Sequence, residues 1–103
     1  MSQTIVGKVS EFTPGSMKPV VVAGKKLLVS RMADGTFGVL DDRCSHAEVK
    51  LSRGQFSDGV VTCAAHGARF DCKTGAHLCM PAVKPVKAYT ALVVGDDLVV
   101  EIS

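Results

Sequence analysis

The sequence predicts a small all-β domain of about eight to ten strands. Valine occurs sixteen times in the 103 residues, and β-branched side chains favour strands. Turn signals rich in Gly, Pro and Asp recur every eight to twelve residues, which is the spacing of short antiparallel strands. No stretch of eleven or more residues keeps the apolar spacing of an amphipathic helix. The expected fold is therefore an antiparallel β-sandwich.

Three pairs of apolar runs are separated by turn signals and are expected to form hairpins: residues 26–31 with 36–40 through Asp34-Gly35, 55–57 with 60–62 through Asp58-Gly59, and 89–94 with 98–102. Residues 46–51 could hold one helical turn at most. Residues 42–54 and 64–67 do not fit the strand pattern, and both segments are predicted to be loops. Each of these loops contains or adjoins a Cys and a His.

Size and charge restrict the class of protein. Residues 1–103 are predicted to form a single domain. The apolar runs, of which residues 20–23 are among the longest, are far shorter than the roughly 18 residues of a membrane span. No secretion signal is recognisable, so a cytoplasmic location is expected. The formal net charge is +2 with both signs interspersed, which does not favour a nucleic-acid partner.

Two boxes of possible metal ligands lie in the predicted loops. Cys44 and His46 form a C-x-H box, and sixteen intervening residues separate it from a C-x-x-H box formed by Cys63 and His66. Thiolate and imidazole ligands suit zinc or iron–sulfur chemistry rather than magnesium or calcium. A structural Cys₂His₂ zinc module is one interpretation, although a one-residue gap is tight for two ligands of one ion. Unrelated buried cysteines and surface histidines are a further alternative.

The two boxes resemble those of the Rieske family, in which a [2Fe–2S] cluster has two cysteine and two histidine ligands. The resemblance continues in residues 66–71 with the Thr74-Gly75 turn, and in residues 78–82, which are similar to the family's proline loop. It covers about residues 20–102. The resemblance implies one [2Fe–2S] cluster, with Cys44 and Cys63 on the inner iron and His46 and His66 on the outer, more exposed iron.

The residues around the boxes resemble the low-potential members of that family. The positions of the additional disulfide cysteines of respiratory Rieske proteins are Val49 and Ala65 here. The positions of the Ser and Tyr that donate hydrogen bonds to the cluster are Ala68 and Phe70, and neither side chain has a donor. We expect a reduction potential near the low end of the Rieske range, at roughly −150 mV.

The resemblance implies an electron carrier and not an enzyme, because protein ligands fill all four coordinating positions. The expected role is to carry single electrons from a flavin-dependent NAD(P)H reductase to a terminal oxygenase that hydroxylates aromatic rings. Both contacts would be transient and the carrier would be monomeric. A small Rieske subunit of nitrite reductase and a ferredoxin of a diiron monooxygenase remain as alternatives.

Other reactive or charged residues have less specific interpretations. Cys72 and Cys79 are expected to be free thiols in a cytoplasmic protein, and His77 is expected to lie on the surface. Four basic residues in or near the cluster loops could form a docking rim or could simply be solvated: Lys50, Arg53, Arg69 and Lys73.

Overall fold

The computed structural model describes residues 2–43, 50–64, 67–78 and 85–102. These residues form ten strands: β1 (Ser2–Lys8), β2 (Ser16–Val22), β3 (Lys25–Arg31), β4 (Phe37–Asp41), β5 (Gln55–Ser57), β6 (Val60–Thr62), β7 (Arg69–Asp71), β8 (Ala88–Tyr89), β9 (Ala91–Val94) and β10 (Asp97–Ile102). Two single-turn 3₁₀ helices, Val9–Glu11 and Leu51–Arg53, are also present in the described ranges. The predicted all-β class and strand number are confirmed.

The strands pair into three antiparallel sheets with the orders β1-β10-β9, β2-β3-β4-β8 and β5-β6-β7. All three predicted hairpins are present as β3/β4, β5/β6 and β9/β10. The first has a longer connection than expected, since β3 ends at Arg31 and β4 begins at Phe37, and the backbone N–H of Met32 closes the connection by donating to the Thr36 carbonyl at 2.7 Å. Asp34 and Gly35 therefore lie in the middle of a five-residue connection between β3 and β4.

The predicted strand 89–94 is divided between two sheets. Tyr89 of β8 pairs with Val39 of the four-stranded sheet, whereas residues 91–94 pair with β10. Thr90 lies between the two strands, and its carbonyl accepts a hydrogen bond from the Glu101 backbone at 2.9 Å. A single continuous chain thus connects the central sheet to the sheet formed by the two termini.

The four-stranded sheet is the middle layer of the molecule. On one face Leu27, Val29 and Val39 pack with Leu98 and Val100 of the terminal sheet. On the other face Leu28, Met32 and Leu40 pack with β6 and β7 through a second core, which also includes Val61, Cys63, Phe70 and Cys72. Adjacent residues of β3 therefore belong to different cores, because successive strand side chains point to opposite faces.

Hydrogen bonds align the ends of the middle sheet with those of the β5-β6-β7 sheet. At one end, the Asp42 carboxylate after β4 accepts hydrogen bonds from Ser52, close to the start of β5. Cys63 lies at this same end, directly after β6. We call this the Cys63 end. At the opposite end, the β5/β6 turn at Asp58-Gly59 lies beside Met32, which follows β3.

No helix in the described ranges is long and apolar enough to cross a membrane. The helical turn considered for residues 46–51 falls mostly outside the described residues, which resume at Lys50. The described chain instead forms its 3₁₀ turn at Leu51–Arg53, where Leu51 is fully buried in the core shared with Cys63. Burial of this one apolar side chain fixes the turn against the β-sheets.

Candidate metal centre

Cys63 is the one predicted ligand that lies among the described residues, and Cys44, His46 and His66 lie outside them. Within the described ranges no group of three or more His, Cys, Asp or Glu side chains is arranged to hold a metal ion. The structure therefore shows how the fold positions Cys63 and the ends of the other ligand-bearing segments. The complete ligand set stays a prediction.

Cys63 begins a loop whose base is held by backbone hydrogen bonds. Its N–H donates to the Ala68 carbonyl at 2.7 Å, and its own carbonyl accepts from the Gly67 N–H at 3.0 Å. These bonds extend the β6/β7 pairing, which ends at Thr62 opposite Arg69. The side chain is 1% exposed and forms no disulfide. A buried thiol at the start of a rigid loop fits a thiolate ligand of a soft metal centre.

The segment that contains Cys44 and His46 is fixed at both ends by one buried carboxylate. Asp42, only 5% exposed, accepts a hydrogen bond from the Ser52 N–H and another from the Ser52 hydroxyl, each at 2.7 Å. Two good donors offset the cost of burying this charge. The bonds join the residue before Arg43 to the 3₁₀ helix after Lys50, and they hold the ends of residues 44–49 together.

Gly54 brings this 3₁₀ helix against the strand that leads to Cys63. A Cβ atom at Gly54 would lie 1.8 Å from the Thr62 carbonyl oxygen, so only glycine permits the contact. The φ angle of Gly54 is −86°, which any residue can adopt. Close approach rather than backbone conformation therefore requires a glycine here, and it places the chain that follows residues 44–49 beside the strand that leads to Cys63.

The third segment, residues 79–84, also starts and ends in defined positions. It follows Leu78, whose N–H donates to the Arg69 carbonyl at 2.8 Å. It returns at Val86, whose N–H donates to the Gly75 carbonyl at 2.8 Å and whose own carbonyl would be 1.9 Å from a Cβ at Gly75. The segment expected to be the proline loop thus begins beside β7, one strand from Cys63.

The sequence did not single out Asp42, Ser52 or Gly54 as functional. Their local signals are ordinary: an acidic pair after a strand and a Ser-Arg-Gly turn. Their role depends on contacts across eight to ten residues of chain, which no local pattern reveals. One sequence signal could have drawn attention to Asp42. The box formed by Cys44 and His46 has an acidic residue two positions away on each side, Asp42 before it and Glu48 after it.

Cys72 lies away from the Cys63 loop, next to the β5/β6 turn. Its N–H donates to the Gly59 carbonyl at 2.9 Å, and its side chain is fully buried without a disulfide. Burial, reinforced by the Asp71 carboxylate, raises the pKa of the Cys72 thiol to about 11, so the thiol stays protonated and unreactive at neutral pH. The expectation of a free thiol is confirmed for Cys72, while Cys79 lies outside the described residues.

Two further expectations concern residues near these loops. His77 is exposed, as expected, and forms an isolated bridge with Phe70. Lys73 does not lie near Cys63, since it follows Cys72 at the opposite end and its charge acts on Asp34 of the β3/β4 connection. The inclusion of Lys73 in a rim around the cluster loops is therefore wrong, because β7 carries the chain the length of the small sheet.

A cleft of about 690 Å³ also opens at the opposite end. Its lining includes Met32, Asp34, Phe56, Asp58 and Lys73. Cys63, the predicted ligand among the described residues, does not border it. The cleft therefore lies at the end of the molecule away from Cys63.

The model of the Rieske [2Fe-2S] domain family matches residues 2–90. This chain belongs to the Rieske family. A Rieske domain carries one [2Fe–2S] cluster, and this membership removes the zinc-module interpretation. The buried, unpaired Cys63 thiol at the start of its hydrogen-bonded loop is consistent with a thiolate ligand of such a cluster.

Curated relatives of this Rieske protein are ferredoxin subunits. It is 34% identical to the anthranilate 1,2-dioxygenase ferredoxin subunit of Burkholderia cepacia, over 94% of this chain and 89% of that protein. It is 36% identical to the 3-phenylpropionate/cinnamic acid dioxygenase ferredoxin subunit of Photorhabdus laumondii, over 100% and 97% of the two chains. The protein is accordingly an electron carrier of the ferredoxin kind, as expected, and not itself a catalyst.

Solved structures agree with this membership. The ferredoxin of carbazole 1,9a-dioxygenase from Nocardioides aromaticivorans superimposes with a TM-score of 0.90 at 32% identity, covering 97% of both chains. A chain in a complex of reduced oxygenase and oxidized ferredoxin of carbazole 1,9a-dioxygenase superimposes with a TM-score of 0.88 at 28% identity, covering 95% of this chain and 91% of that one. The Rieske ferredoxin fold is thus shared along nearly the whole chain.

Proposed function

We propose that this Rieske ferredoxin carries single electrons from a flavin-dependent NAD(P)H reductase to a terminal oxygenase that hydroxylates aromatic rings. The relatives that support this role are ferredoxin subunits of aromatic-acid dioxygenases. A structural neighbour is a ferredoxin in complex with its oxygenase. We further propose that the protein acts in the cytoplasm as a monomeric, transiently bound shuttle built from one domain.

We propose Cys44, His46, Cys63 and His66 as the four cluster ligands. The observation that carries this proposal is Cys63: a fully buried thiol, without a disulfide, at the first position of a loop closed by two backbone hydrogen bonds. The loop contains His66 at the spacing of the C-x-x-H box. The Asp42–Ser52 hydrogen bonds fix the ends of the segment that contains the other two ligands.

When bound, a [2Fe–2S] cluster supplies one-electron redox chemistry. The chain's own residues would hold it by two thiolates, from Cys44 and Cys63, and by two imidazoles, from His46 and His66. Neutral imidazole ligands in place of two thiolates favour the reduced state by lowering the negative charge. Ala68 and Phe70 donate no side-chain hydrogen bonds, and this disfavours the reduced state. The two effects together predict a potential at roughly −150 mV, in the lower part of the Rieske range.

Two matched cysteine variants test the ligand set. Both Cys63 and Cys72 are buried and free, so Cys63→Ser and Cys72→Ser make the same chemical change in similar surroundings. We expect dithionite-reduced Cys72→Ser protein to keep the EPR signal of a mixed-ligand [2Fe–2S] cluster, and Cys63→Ser to lose it. His46→Ala should also lose the signal. An unchanged visible spectrum in Cys63→Ser or in His46→Ala would contradict the assignment.

A reconstituted chain of components tests the electron-carrier role. With NADH, a flavin reductase and an aromatic-ring oxygenase, oxygen uptake should require this protein and should saturate with its concentration. Gel filtration of extracts distinguishes the modes of action, because a shuttle elutes alone whereas a permanent subunit elutes with its large enzyme. Stable co-elution with a nitrite reductase, or activity only with a diiron monooxygenase, would refute the proposed partner.

A further inference from the structure

Most of the exposed basic side chains in the described ranges lie at the Cys63 end. The six residues of what we call the basic rim are each exposed or partly exposed there: Lys25, Lys26, Lys50, Arg53, Arg69 and Lys87. They come from four different parts of the chain. They are the start of β3, the 3₁₀ helix with its preceding residue, the start of β7 and the residue before β8.

Backbone hydrogen bonds place the rim next to the ligand-bearing segments. The Asp42 N–H donates to the Lys26 carbonyl at 3.0 Å, and the Asp41 N–H donates to the Lys87 carbonyl at 2.9 Å. Both lysines therefore lie beside the chain that leads to Cys44. Arg69 pairs with Thr62, the residue before Cys63. Lys50 and Arg53 lie on either side of Ser52, which holds Asp42.

The carboxylates after β4 offset the charge of the rim only in part, because Asp41 and Asp42 are two negative charges beside six positive ones. Asp42 is buried and occupied by Ser52, and Asp41 accepts a 2.6 Å hydrogen bond from the Tyr89 hydroxyl. The ammonium groups of Lys25 and Lys87 lie 5.8 and 5.0 Å from the centre of the Tyr89 ring. Among the described residues the only ion pair joins Lys8 to Asp97, which is not part of the rim. Glu48, outside those residues, could offset at most one charge.

The opposite end is acidic. It carries Asp34, Asp58 and Asp71 around the cleft, and Asp96 lies there too, because its carbonyl accepts from Val9 next to the Arg31 guanidinium. Hydrogen bonds from Thr36 lower the pKa of Asp34, so this carboxylate is ionised at neutral pH. The basic side chains of this end, Lys8, Arg31 and Lys73, are fewer. The small net charge of +2 thus results from two ends of opposite sign.

We propose that the basic rim is the docking surface for redox partners, and that a partner presents a complementary acidic face to it. This inference rests on the proposed function, because it names the surface through which the electron is passed. Positive charge around the surface through which the electron leaves steers a negatively charged partner into the orientation that brings the two redox centres together. The acidic opposite end repels the same partner and disfavours the reversed orientation.

Small charged oxidants test the sign of the rim without a partner protein. The reduced protein gives one electron to ferricyanide, a trianion that becomes ferrocyanide, or to tris(phenanthroline)cobalt(III), a trication that becomes cobalt(II). Stopped-flow absorbance measures both rate constants. Because salt screens the rim, we expect the ferricyanide rate constant to fall about tenfold between low and high ionic strength. The rate constant with the trication should rise.

Two double charge reversals distinguish the effect of the rim from the effect of the net charge on the rate constant. Lys50→Glu/Arg53→Glu changes the rim, and Lys18→Glu/Lys73→Glu changes exposed lysines outside it. Each pair takes the net charge from +2 to −2, because each reversal removes two charges. The rim variant should lose or invert the salt dependence with ferricyanide, whereas the control should keep most of it. If the first pair fails to incorporate a cluster, Lys26→Glu/Lys87→Glu tests the other side of the rim.

Cation-exchange chromatography supplies a readout that needs no cluster. The rim variant should elute at clearly lower salt than the control of equal net charge. Equal elution of the two variants, or equal loss of the ferricyanide salt dependence, would overturn the docking surface. A faster reaction with the trication than with the trianion at low salt would overturn it as well. Rim-dependent binding of a duplex DNA probe at physiological salt would contradict a protein partner.

These outcomes are distinguishable from a failure of the proposed function. A protein that is not bleached by dithionite and shows no EPR signal has no working redox centre, and the electron-carrier proposal would then fail. A protein that is reduced normally but shows the wrong salt dependence refutes the docking surface alone.

Discussion

Cys63 and Cys72 show how position decides the chemistry of the same side chain. Both thiols are buried and neither forms a disulfide. Cys63 lies where β6 ends and a loop with a histidine begins, so that the proposed ligand His66 follows three residues later in the sequence. Cys72 lies beside the β5/β6 turn, where its N–H bonds to Gly59. A metal can offset the cost of a buried thiolate at Cys63, whereas at Cys72 burial keeps the thiol neutral.

Because the Cys72 thiol is buried, we expect the free energy of unfolding to fall at alkaline pH. Its pKa in the folded protein is about 11 against an ordinary value of 9.0. The folded state keeps its proton where the unfolded chain has lost it, so this stabilisation is complete below about pH 9 and is lost as the pH rises through about 11. We expect a loss of about 2 kcal/mol of unfolding free energy across this interval.

Denaturant titrations between pH 8 and 11 measure this effect. Cys72→Ala lacks the thiol and should show a shallower decline, even though the smaller side chain lowers its stability at every pH. Tyr89, whose pKa is raised to about 12 by burial and by Asp41, is present in both proteins and contributes equally. Identical pH profiles for the two proteins would contradict the assignment to Cys72.

Ala68 offers a direct test of the low predicted potential. By the resemblance to respiratory Rieske proteins, its position is that of the serine that donates a hydrogen bond to the cluster. Ala68→Ser should raise the midpoint potential by about 45 mV if the new bond favours the reduced state by about 1 kcal/mol. Ala64→Ser is the matched control, because Ala64 is exposed in the same loop and should shift the potential little. Redox titration followed by EPR gives both values, and equal shifts would refute the expectation.

At the scale of elements, the 3₁₀ helix Leu51–Arg53 connects the middle sheet to the β5-β6-β7 sheet. Leu51 anchors it in the core, Ser52 holds Asp42 from the middle sheet, and Gly54 contacts Thr62 of the small sheet. One turn of helix therefore fixes the chain that follows residues 44–49 against the strand that leads to Cys63. Its own hydrogen bonds are too few to stabilise it in isolation, so its position depends on these tertiary contacts.

Gly54→Ala tests this connection. The new Cβ would meet the Thr62 carbonyl oxygen at 1.8 Å, and the chain must move to relieve the clash, which we expect to cost about 3 kcal/mol. Because the shift occurs next to Cys63, iron content should fall as well. Gly24→Ala is the control. It has a positive φ of 78° but no neighbour within 4 Å of the new Cβ, so it should cost about 1 kcal/mol and retain iron.

Thermal unfolding monitored by circular dichroism, together with iron analysis, compares the two glycine variants. Equal destabilisation of both would show that backbone conformation matters more than close approach. Full iron content in a destabilised Gly54→Ala protein would contradict the role of this contact in positioning the ligand loops.

At the scale of the whole molecule, the middle sheet lies between two hydrophobic cores, and Cys63 belongs to one of them. One core joins the middle sheet to the terminal sheet, and the other joins it to the sheet that carries Cys63. Charge is divided in a second way, with the basic rim at the Cys63 end and carboxylates at the opposite end. The fold thus places Cys63, a proposed ligand, on one side of β3 and the sheet of the two termini on the other.

Leu27 and Leu28 are neighbours in sequence that test this division. Both are fully buried, one in each core, and either change to Ala should cost about 2–5 kcal/mol. We compare the two variants at temperatures equally far below their midpoints of thermal unfolding. Under these conditions Leu28→Ala should lose iron to a chelator several times faster than Leu27→Ala, since only Leu28 packs with Cys63. Visible absorbance during chelation measures this. Equal rates of iron loss would contradict a separate core for the metal centre.

The sequence by itself determined the class of fold, the three hairpins and the family. Alternating and β-branched runs specify strands, turn residues specify where strands reverse, and two Cys/His boxes at a fixed spacing are a local, recognisable chemical pattern. The same local reasoning missed the division of residues 89–94 at Thr90, because pairing with β4 on one side and β10 on the other is a property of the packed sheets. It also misplaced Lys73, since a three-residue strand carries the chain from the Cys63 end to the opposite end.

Only the tertiary structure decided which residues hold the loops and where the charge collects. Asp42 and Ser52 are ten residues apart, and Gly54 meets Thr62 across a strand pair, so neither contact has a signal in the local sequence. The basic rim comes from four parts of the chain that are sixteen or more residues apart, and the interspersed charges of the sequence give no sign of two ends. The physical reason is that local patterns fix backbone conformation, whereas long-range hydrogen bonds and close backbone contacts fix how those pieces meet.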